Sequence, residues 1–155
     1  MKKIRVAALA MAIIMLALCA VSCSKSEKLL VNCTISVMID GELYLDGYAY
    51  QVQGTVDEPP TVLQAASEAF TILEIPYEVE ENGNNFYSIS FDGTAYTSGM
   101  TTNADGAEGI GFWEYTADGV APKEGQASIN AVLEGQKILF TYQFEPMNEA
   151  TWIEE

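Results

Sequence analysis

The sequence predicts an α+β domain in which a single helix covers one face of a mostly antiparallel β-sheet. Two observations carry this prediction. Several segments alternate apolar and polar residues with a period of two, which is typical of strands that are buried on one side only. One segment, residues 61–76, instead spaces its apolar residues like the face of a helix. A cleaved signal is expected to precede this domain.

The chain begins with the three parts of an export signal. A basic head of Lys2, Lys3 and Arg5 precedes an apolar run over residues 6–21, after which the composition becomes polar. As a helix this run would reach about 24 Å, which is short of the ~30 Å hydrocarbon core of a membrane. We therefore expect residues 1–22 to be a signal peptide that is removed.

The residues before Cys23 resemble the lipobox of bacterial lipoproteins, with the small Ser22 next to the cut. A competing frame ends at Cys19, but the bulky Leu18 beside that cysteine fits the pattern poorly. We expect a lipid on Cys23, a lipidated tether over residues 23–31, and a position on the extracytoplasmic face of a bacterial membrane, at the cell surface or in the periplasm. The membrane would then be a partner through the lipid.

Two strand patterns open the domain, which we expect to span residues 32–146, before an acidic tail over 147–155. Turn residues at Asp40-Gly41 and Asp46-Gly47 separate the two patterns, so we predict an antiparallel hairpin with a link over residues 40–47. The apolar positions are Cys33, Ile35, Val37 and Ile39 in the first strand and Tyr48, Tyr50 and Val52 in the second.

The predicted helix has a recognisable beginning and end. Thr61 can cap its first turn, and Gln64 three residues later completes a capping box. Pro76 ends the element. The apolar residues on one helical face are Val62, Leu63, Ala66, Phe70 and Leu73.

Later segments return to the strand pattern. Ile138, Phe140, Tyr142 and Phe144 form one apolar face, and Tyr87, Ile89 and Phe91 form another, with Ser88 and Ser90 facing outward. No later stretch has a comparable helical stripe. Among the arrangements of a hairpin, one helix and further strands, a β-grasp-like arrangement is the leading specific case.

Composition excludes several classes of function. The chain has 22 acidic and 7 basic residues and no histidine, and only 4 basic residues remain once residues 1–22 are removed. Nucleic acid is excluded as a partner, because phosphate contacts need cationic side chains. Without histidine, a histidine-based triad or histidine metal ligand cannot form, and we find no nucleophile elbow, P-loop or dinucleotide fingerprint. We expect no enzyme activity, no metal and no resident cofactor. Cys33 is expected to be a small core residue.

The distal half of the chain carries a family resemblance. The strand 111–115, the turn at Asp118-Gly119 and the segments 125–127 and 133–138 resemble the domain of unknown function DUF4430, which is similar to the C-terminal β-domain of transcobalamin and intrinsic factor. The helix segment 61–66 and the strand 87–93 extend the resemblance over about residues 32–145. Asp118 and Gln136 depart from the asparagine and aspartate usual there. The resemblance implies a ligand-binding β-domain, with a corrinoid such as cobalamin as the named candidate.

The candidate ligand site lies on the aromatic strand and the glycine-rich loop that precedes it. Trp113 and Tyr115 are two residues apart and share one face of a strand, whereas Phe112 and Glu114 share the other. An exposed ring beside Tyr96 and the loop over residues 97–109 would offer a stacking surface to a flat ligand or a sugar. The alternative is that Trp113 and Tyr115 belong to the core and Phe112 caps the sheet edge. The candidate binding residues are Trp113, Tyr115, Phe112, Tyr96, Ser98 and Asn103.

We therefore predict a lipid-anchored extracytoplasmic module that captures a small molecule, of corrinoid type by resemblance. The alternative is a structural or protein-interaction domain at the cell surface without a small ligand. The first needs a concave pocket near Trp113 and the loop. The second needs a flat apolar patch or an open strand edge. The sequence does not indicate an oligomeric state.

Overall fold

The computed structural model describes residues 26–147. The expected signal peptide, Cys19, the expected lipidation site at Cys23 and the acidic tail after residue 147 lie outside the described residues. The elements are β1 (Lys28–Ile39), β2 (Glu42–Thr55), α1 (Val62–Ile72), β3 (Tyr77–Val79), β4 (Phe86–Phe91), β5 (Thr94–Thr97), β6 (Gly99–Thr102), β7 (Glu108–Ala117) and β8 (Gln136–Pro146). Within residues 26–147, no helix is long and apolar enough to cross a membrane.

The strands form two sheets. A five-stranded sheet has the order β2-β1-β8-β7-β6, and a three-stranded sheet has the order β3-β4-β5. All pairings are antiparallel except that of β1 with β8, which is parallel. The prediction of a β-rich domain with one short helix and a mostly antiparallel sheet is confirmed.

The sequence predicted that a single helix covers the large sheet. In the structure the helix does not cover this sheet alone. Five strands span about 19 Å across the sheet, whereas a helix with its side chains is only about 10 Å wide. The three-stranded sheet shares the task, since Phe86 and Ile89 of β4 belong to the same core as Phe70 of α1 and Phe140 of β8. We call the side of the five-stranded sheet that faces this core its inner face.

The first hairpin is tighter than its sequence suggested. Asp40 and Gly41 both have positive φ values, 48° and 87°, as a two-residue hairpin turn of type I′ requires. Strand β2 begins directly after them, so the link does not extend to residue 47. Gly47 instead lies in an irregularity within the strand, where its N–H donates to Ser36 Oγ at 2.9 Å. Strand β1 begins at Lys28, four residues before the expected start of the domain at residue 32.

The beginning of α1 confirms the predicted cap but not the full capping box. The N–H of Gln64 donates to Thr61 Oγ1 at 3.2 Å. The side chain of Gln64 does not return to Thr61, because its Nε2 donates to Gln53 O and to Glu68 Oε1. The helix is therefore joined to β2 through this glutamine. It ends at Ile72, before Pro76.

Strand β4 departs from the predicted pattern. Ile89 is fully buried as expected, but Tyr87 is 43% exposed, and Phe86 and Ser88 on the other face are buried. The strand lies in the middle of the small sheet, and its serine-bearing face turns toward the core. Phe86 contacts Phe70 and Phe140 at ring-centroid distances of 5.4 and 5.3 Å.

Cys33 occupies the core position that the strand pattern predicted. Its side chain is buried and free. Burial raises the pKa of the thiol, and the carboxylate of Glu134 adds to the effect. Because the thiolate is the reactive form, Cys33 is a packing residue in this fold.

Candidate ligand-binding sites

The predicted site residues are divided between the two faces of the five-stranded sheet. Trp113 and Tyr115 of β7 point to the inner face, and Phe112 points to the opposite, outer face, as strand alternation requires. Tyr96 and Asn103 line a cavity at one end of the inner face. Ser98 lines neither cavity described below, and its N–H donates to Tyr87 O at 2.7 Å. The six residues therefore do not form one site.

Of the two inner aromatic residues of β7, Trp113 connects the two sheets, and Tyr115 packs within the large sheet. Trp113 Nε1 donates to Tyr96 O at 2.8 Å, and its ring lies 5.1 Å from that of Tyr142. Tyr115 is buried, packs against Phe140 at 5.7 Å, and has its pKa raised by burial. These contacts give both side chains a packing role. Both residues also line a cavity beside Phe112, and their part in ligand binding stays a prediction.

Phe112 lies at a groove on the outer face of the sheet, which we call the outer groove. Its volume is about 520 Å³. Phe112 stands opposite Gln143 of β8, and Glu114 stands opposite Thr141, so an aromatic ring, a carboxylate, an amide and a hydroxyl lie on adjacent strands. The loop over residues 121–125 forms the remaining wall, through Ala121, Pro122 and Gly125.

The glycine-rich loop is ordered as a hairpin instead of a free binding loop. Residues 99–102 form β6 and pair with β7, with Gly99 opposite Gly111 and Thr102 opposite Glu108. Asn103 holds the turn, because its Oδ1 accepts from the N–H groups of Asp105 at 3.1 Å and Ala107 at 2.8 Å. Its side-chain oxygen is thus occupied by the loop, and the role of Asn103 as a ligand contact stays a prediction.

A second cavity, which we call the end pocket, opens beside this hairpin and has a volume of about 300 Å³. Tyr96 donates its hydroxyl to Tyr44 at 3.4 Å, and this hydrogen bond, together with burial, raises the pKa of Tyr96 to about 12. The Tyr96 phenol is therefore a neutral polar group at ordinary pH. The pocket is also lined by Asp40, Glu42, Asp105, Tyr142 and Phe144.

Sequence reasoning missed the contribution of β2 to this pocket. Glu42 and Tyr44 fall within the segment 40–47, which was interpreted as a link and not as strand. The isolated Asp40-Gly41 pair was the available signal, because a two-residue turn there makes residue 42 the start of a strand. Glu42 and Tyr44 lie close to Tyr96, more than fifty residues later in the chain, only because the two sheets pack against each other.

Comparisons with known proteins support the fold. Neither a protein-family model nor any characterised protein sequence matches the chain. Among solved structures, the chain is similar to haptocorrin in complex with Cbi, with 18% identity and a TM-score of 0.50 over 75% of this chain and 25% of haptocorrin. The chain thus spans about a quarter of that protein. A candidate metal-binding protein from Ruminococcus gnavus is matched at 15% identity and a TM-score of 0.39, over 74% of this chain and 98% of that one.

At this level of identity the likeness concerns the fold. The chain has a small β-rich domain similar to part of haptocorrin, a protein solved with a bound ligand. The class that the fold defines is a small β-rich domain with an architecture similar to part of haptocorrin.

Proposed function

We propose that the protein is a lipid-anchored, extracytoplasmic binding module that captures a small molecule in the outer groove. The observation that carries the proposal is a groove of about 520 Å³ beside Phe112, on a domain whose fold is similar to part of haptocorrin. Ligand pockets in proteins typically have volumes of about 300–1,000 Å³ and combine apolar walls with a few polar groups. The groove has both properties. No catalytic role is proposed.

A corrinoid is the ligand class to test first, because haptocorrin was solved with Cbi, which we take to be cobinamide. Corrinoids are flat macrocycles edged by amide groups. The ring of Phe112 offers an apolar contact to such a macrocycle, and Glu114 and Gln143 offer an acceptor and an amide to its edge. Since the chain matches only 25% of haptocorrin, we expect this domain to contact one part of the ligand.

The β-grasp-like, DUF4430-like assignment forms part of the proposal. The parallel pairing of β1 with β8, flanked by the first hairpin and followed in the sheet by β7, supports it. The single helix between β2 and β3 agrees with the same arrangement. These features also agree with the resemblance found in the sequence.

The proposal predicts corrinoid binding that depends on Phe112. Titration of the full chain in a non-ionic detergent with cobinamide and cobalamin should give saturable heat. Phe112→Ala should weaken binding about tenfold, since truncation of an aromatic anchor typically costs more than 1 kcal/mol. Tyr87→Ala is the matched control, because Tyr87 is an exposed aromatic residue on the other sheet. Absence of heat at high micromolar protein, with the fold intact by circular dichroism, would refute direct corrinoid capture.

Anchoring makes a separate prediction. In bacteria fed an alkyne-labelled fatty acid, we expect the chain to carry the label and to sediment with membranes. Cys23→Ala should abolish both, whereas Cys19→Ala should leave both unchanged, because only the Cys23 frame has a small residue beside the cut. Loss of label in Cys19→Ala with retention in Cys23→Ala would show that the other frame is used.

A surface protein-interaction domain is the second candidate. Met100 is 76% exposed and stands opposite Ile110, which is 47% exposed, so the edge strand β6 carries a small apolar patch on the outer face. Such a patch on an open edge suits a protein partner. Ligand capture predicts sensitivity to Phe112→Ala and not to Met100→Ser, and attachment through the β6 edge predicts the reverse.

A further inference from the structure

The end pocket is separate from the outer groove and lies on the opposite face of the five-stranded sheet. We propose that the end pocket binds a small organic cation of the ammonium class, with choline as the probe. The inference does not depend on corrinoid capture, because it uses different residues and a different ligand. Its basis is an aromatic-lined cavity whose rim is acidic.

Aromatic side chains form the apolar wall of the end pocket. Tyr44, Tyr96, Tyr142 and Phe144 all line it. The ring of Tyr96 lies 5.4 Å from that of Tyr142 and 6.0 Å from that of Tyr44, both edge to face. Rings in such an arrangement present their negative faces in different directions, and an organic cation is attracted to these faces.

Hydrogen bonds hold this wall in place before any ligand arrives. Tyr142 donates its hydroxyl to Thr97 O at 3.2 Å, and Tyr96 donates to Tyr44. Trp113 in turn donates to the carbonyl of Tyr96. The phenol groups are thus satisfied within the protein, so the rings are positioned and little conformational freedom remains to be lost on binding.

The rim of the pocket is acidic, and no basic side chain in the pocket lining balances its negative charge. Asp40, Glu42 and Asp105 line it, and within residues 26–147 none of their carboxylates accepts a hydrogen bond from another protein group. Asp92 is close enough to help raise the pKa of Tyr96. No lysine or arginine lines the pocket. An anionic ligand would be repelled by these carboxylates, whereas a cation would be attracted to them.

The spacing of the carboxylates distinguishes an organic cation from a metal ion. Among the described residues, no group of three or more acidic or cysteine side chains is arranged to hold a metal. A metal ion needs several oxygen ligands at about 2.0–2.6 Å. An ammonium group spreads its charge over several carbon atoms and needs only nearby carboxylates and ring faces. A volume of about 300 Å³ suits a small ligand of this kind.

The first test compares a cation with its neutral counterpart. The full chain in a non-ionic detergent is titrated with choline chloride and with dimethylbutanol, in which carbon replaces the charged nitrogen. We expect saturable binding of choline, observed by calorimetry and by quenching of tyrosine fluorescence, and at least about fivefold weaker binding of the alcohol. Equal affinity for both, or no binding of choline, would overturn the proposal.

The second test assigns the binding to this pocket. Glu42→Gln combined with Asp105→Asn should weaken choline binding about fivefold, because two nearby charges are removed without a change in shape. Glu81→Gln combined with Asp57→Asn removes the same charge from exposed positions outside the pocket and should have no such effect. If the two double variants bind choline alike, the pocket assignment is wrong.

A third variant pair separates the ring from the hydroxyl group. Tyr96→Phe keeps the aromatic face, so choline binding should persist. Tyr96→Leu removes the face and should weaken binding about fivefold, with the fold checked by circular dichroism. Equal binding by these two variants would exclude a cation–π contribution from residue 96. Cobinamide binding should remain unchanged in both, because Tyr96 does not line the outer groove.

Discussion

Phe70→Ala is expected to lower the free energy of unfolding by about 3–5 kcal/mol, the usual cost of truncating a fully buried phenylalanine to alanine. Phe70 of α1 has no exposed surface. Its ring contacts Tyr77 and Phe86 of the small sheet at 6.1 and 5.4 Å, and Phe140 of the large sheet at 6.3 Å. The cavity left by the substitution would therefore lie where the helix and both sheets meet, and none of the three could close it alone.

Chemical denaturation followed by circular dichroism measures this effect. Ile72→Ala is the matched control on the same helix, because Ile72 is 60% exposed and loses little buried area. We expect the control to change stability by less than about 0.5 kcal/mol. A loss below about 1 kcal/mol for Phe70→Ala would contradict a core shared by all three elements.

Gly111→Ala should have the second large effect and should lower the free energy of unfolding by about 1–3 kcal/mol or more. A Cβ atom at Gly111 would collide with the Tyr142 hydroxyl and with Thr97 O. These two atoms are hydrogen-bonded to each other, so the substitution would also break a contact between the sheets, worth about 1 kcal/mol. Glycine is needed in this strand because of the close approach of another chain segment, and not because of an unusual φ value.

Gly125→Ala is the control for Gly111→Ala. An added Cβ at Gly125 meets nothing within 4 Å. We expect its stability to change by less than about 0.5 kcal/mol, measured by the same denaturation experiment. If both alanine variants are equally stable, β5 and β7 do not approach each other as closely as the structure describes.

Local patterns predicted the elements that depend on neighbours in sequence. The period of two identified the buried face of β1 and β8, and the Thr61 cap is formed as predicted. Both signals are local, because strand alternation and helix capping involve residues only a few positions apart. The position of Cys33 in the core follows from the same alternation.

Predictions that depended on which elements meet were less successful. Tyr87 was expected inside and is 43% exposed, whereas Phe86 and Ser88 on the opposite face of β4 are buried, because β4 belongs to a second sheet whose serine-bearing face packs into the core. Trp113 donates a hydrogen bond to Tyr96 O, a contact that strand alternation did not predict, and its place beside a ligand stays a prediction. The alternation of β7 correctly separated Trp113 from Phe112. It could not show which of the two faces another sheet would cover.

The sequence by itself determined an acidic, β-rich domain with one helix and its main strand faces, because composition, periodicity and capping are local properties of the chain. The tertiary structure alone decided the division into two sheets, the parallel pairing of β1 with β8, and the two cavities. The end pocket unites Glu42 and Tyr44 with Tyr96 and Asp105. Such a meeting depends on the packing of one sheet against another, which creates contacts between residues that are distant in sequence and leaves no periodic signal within either segment.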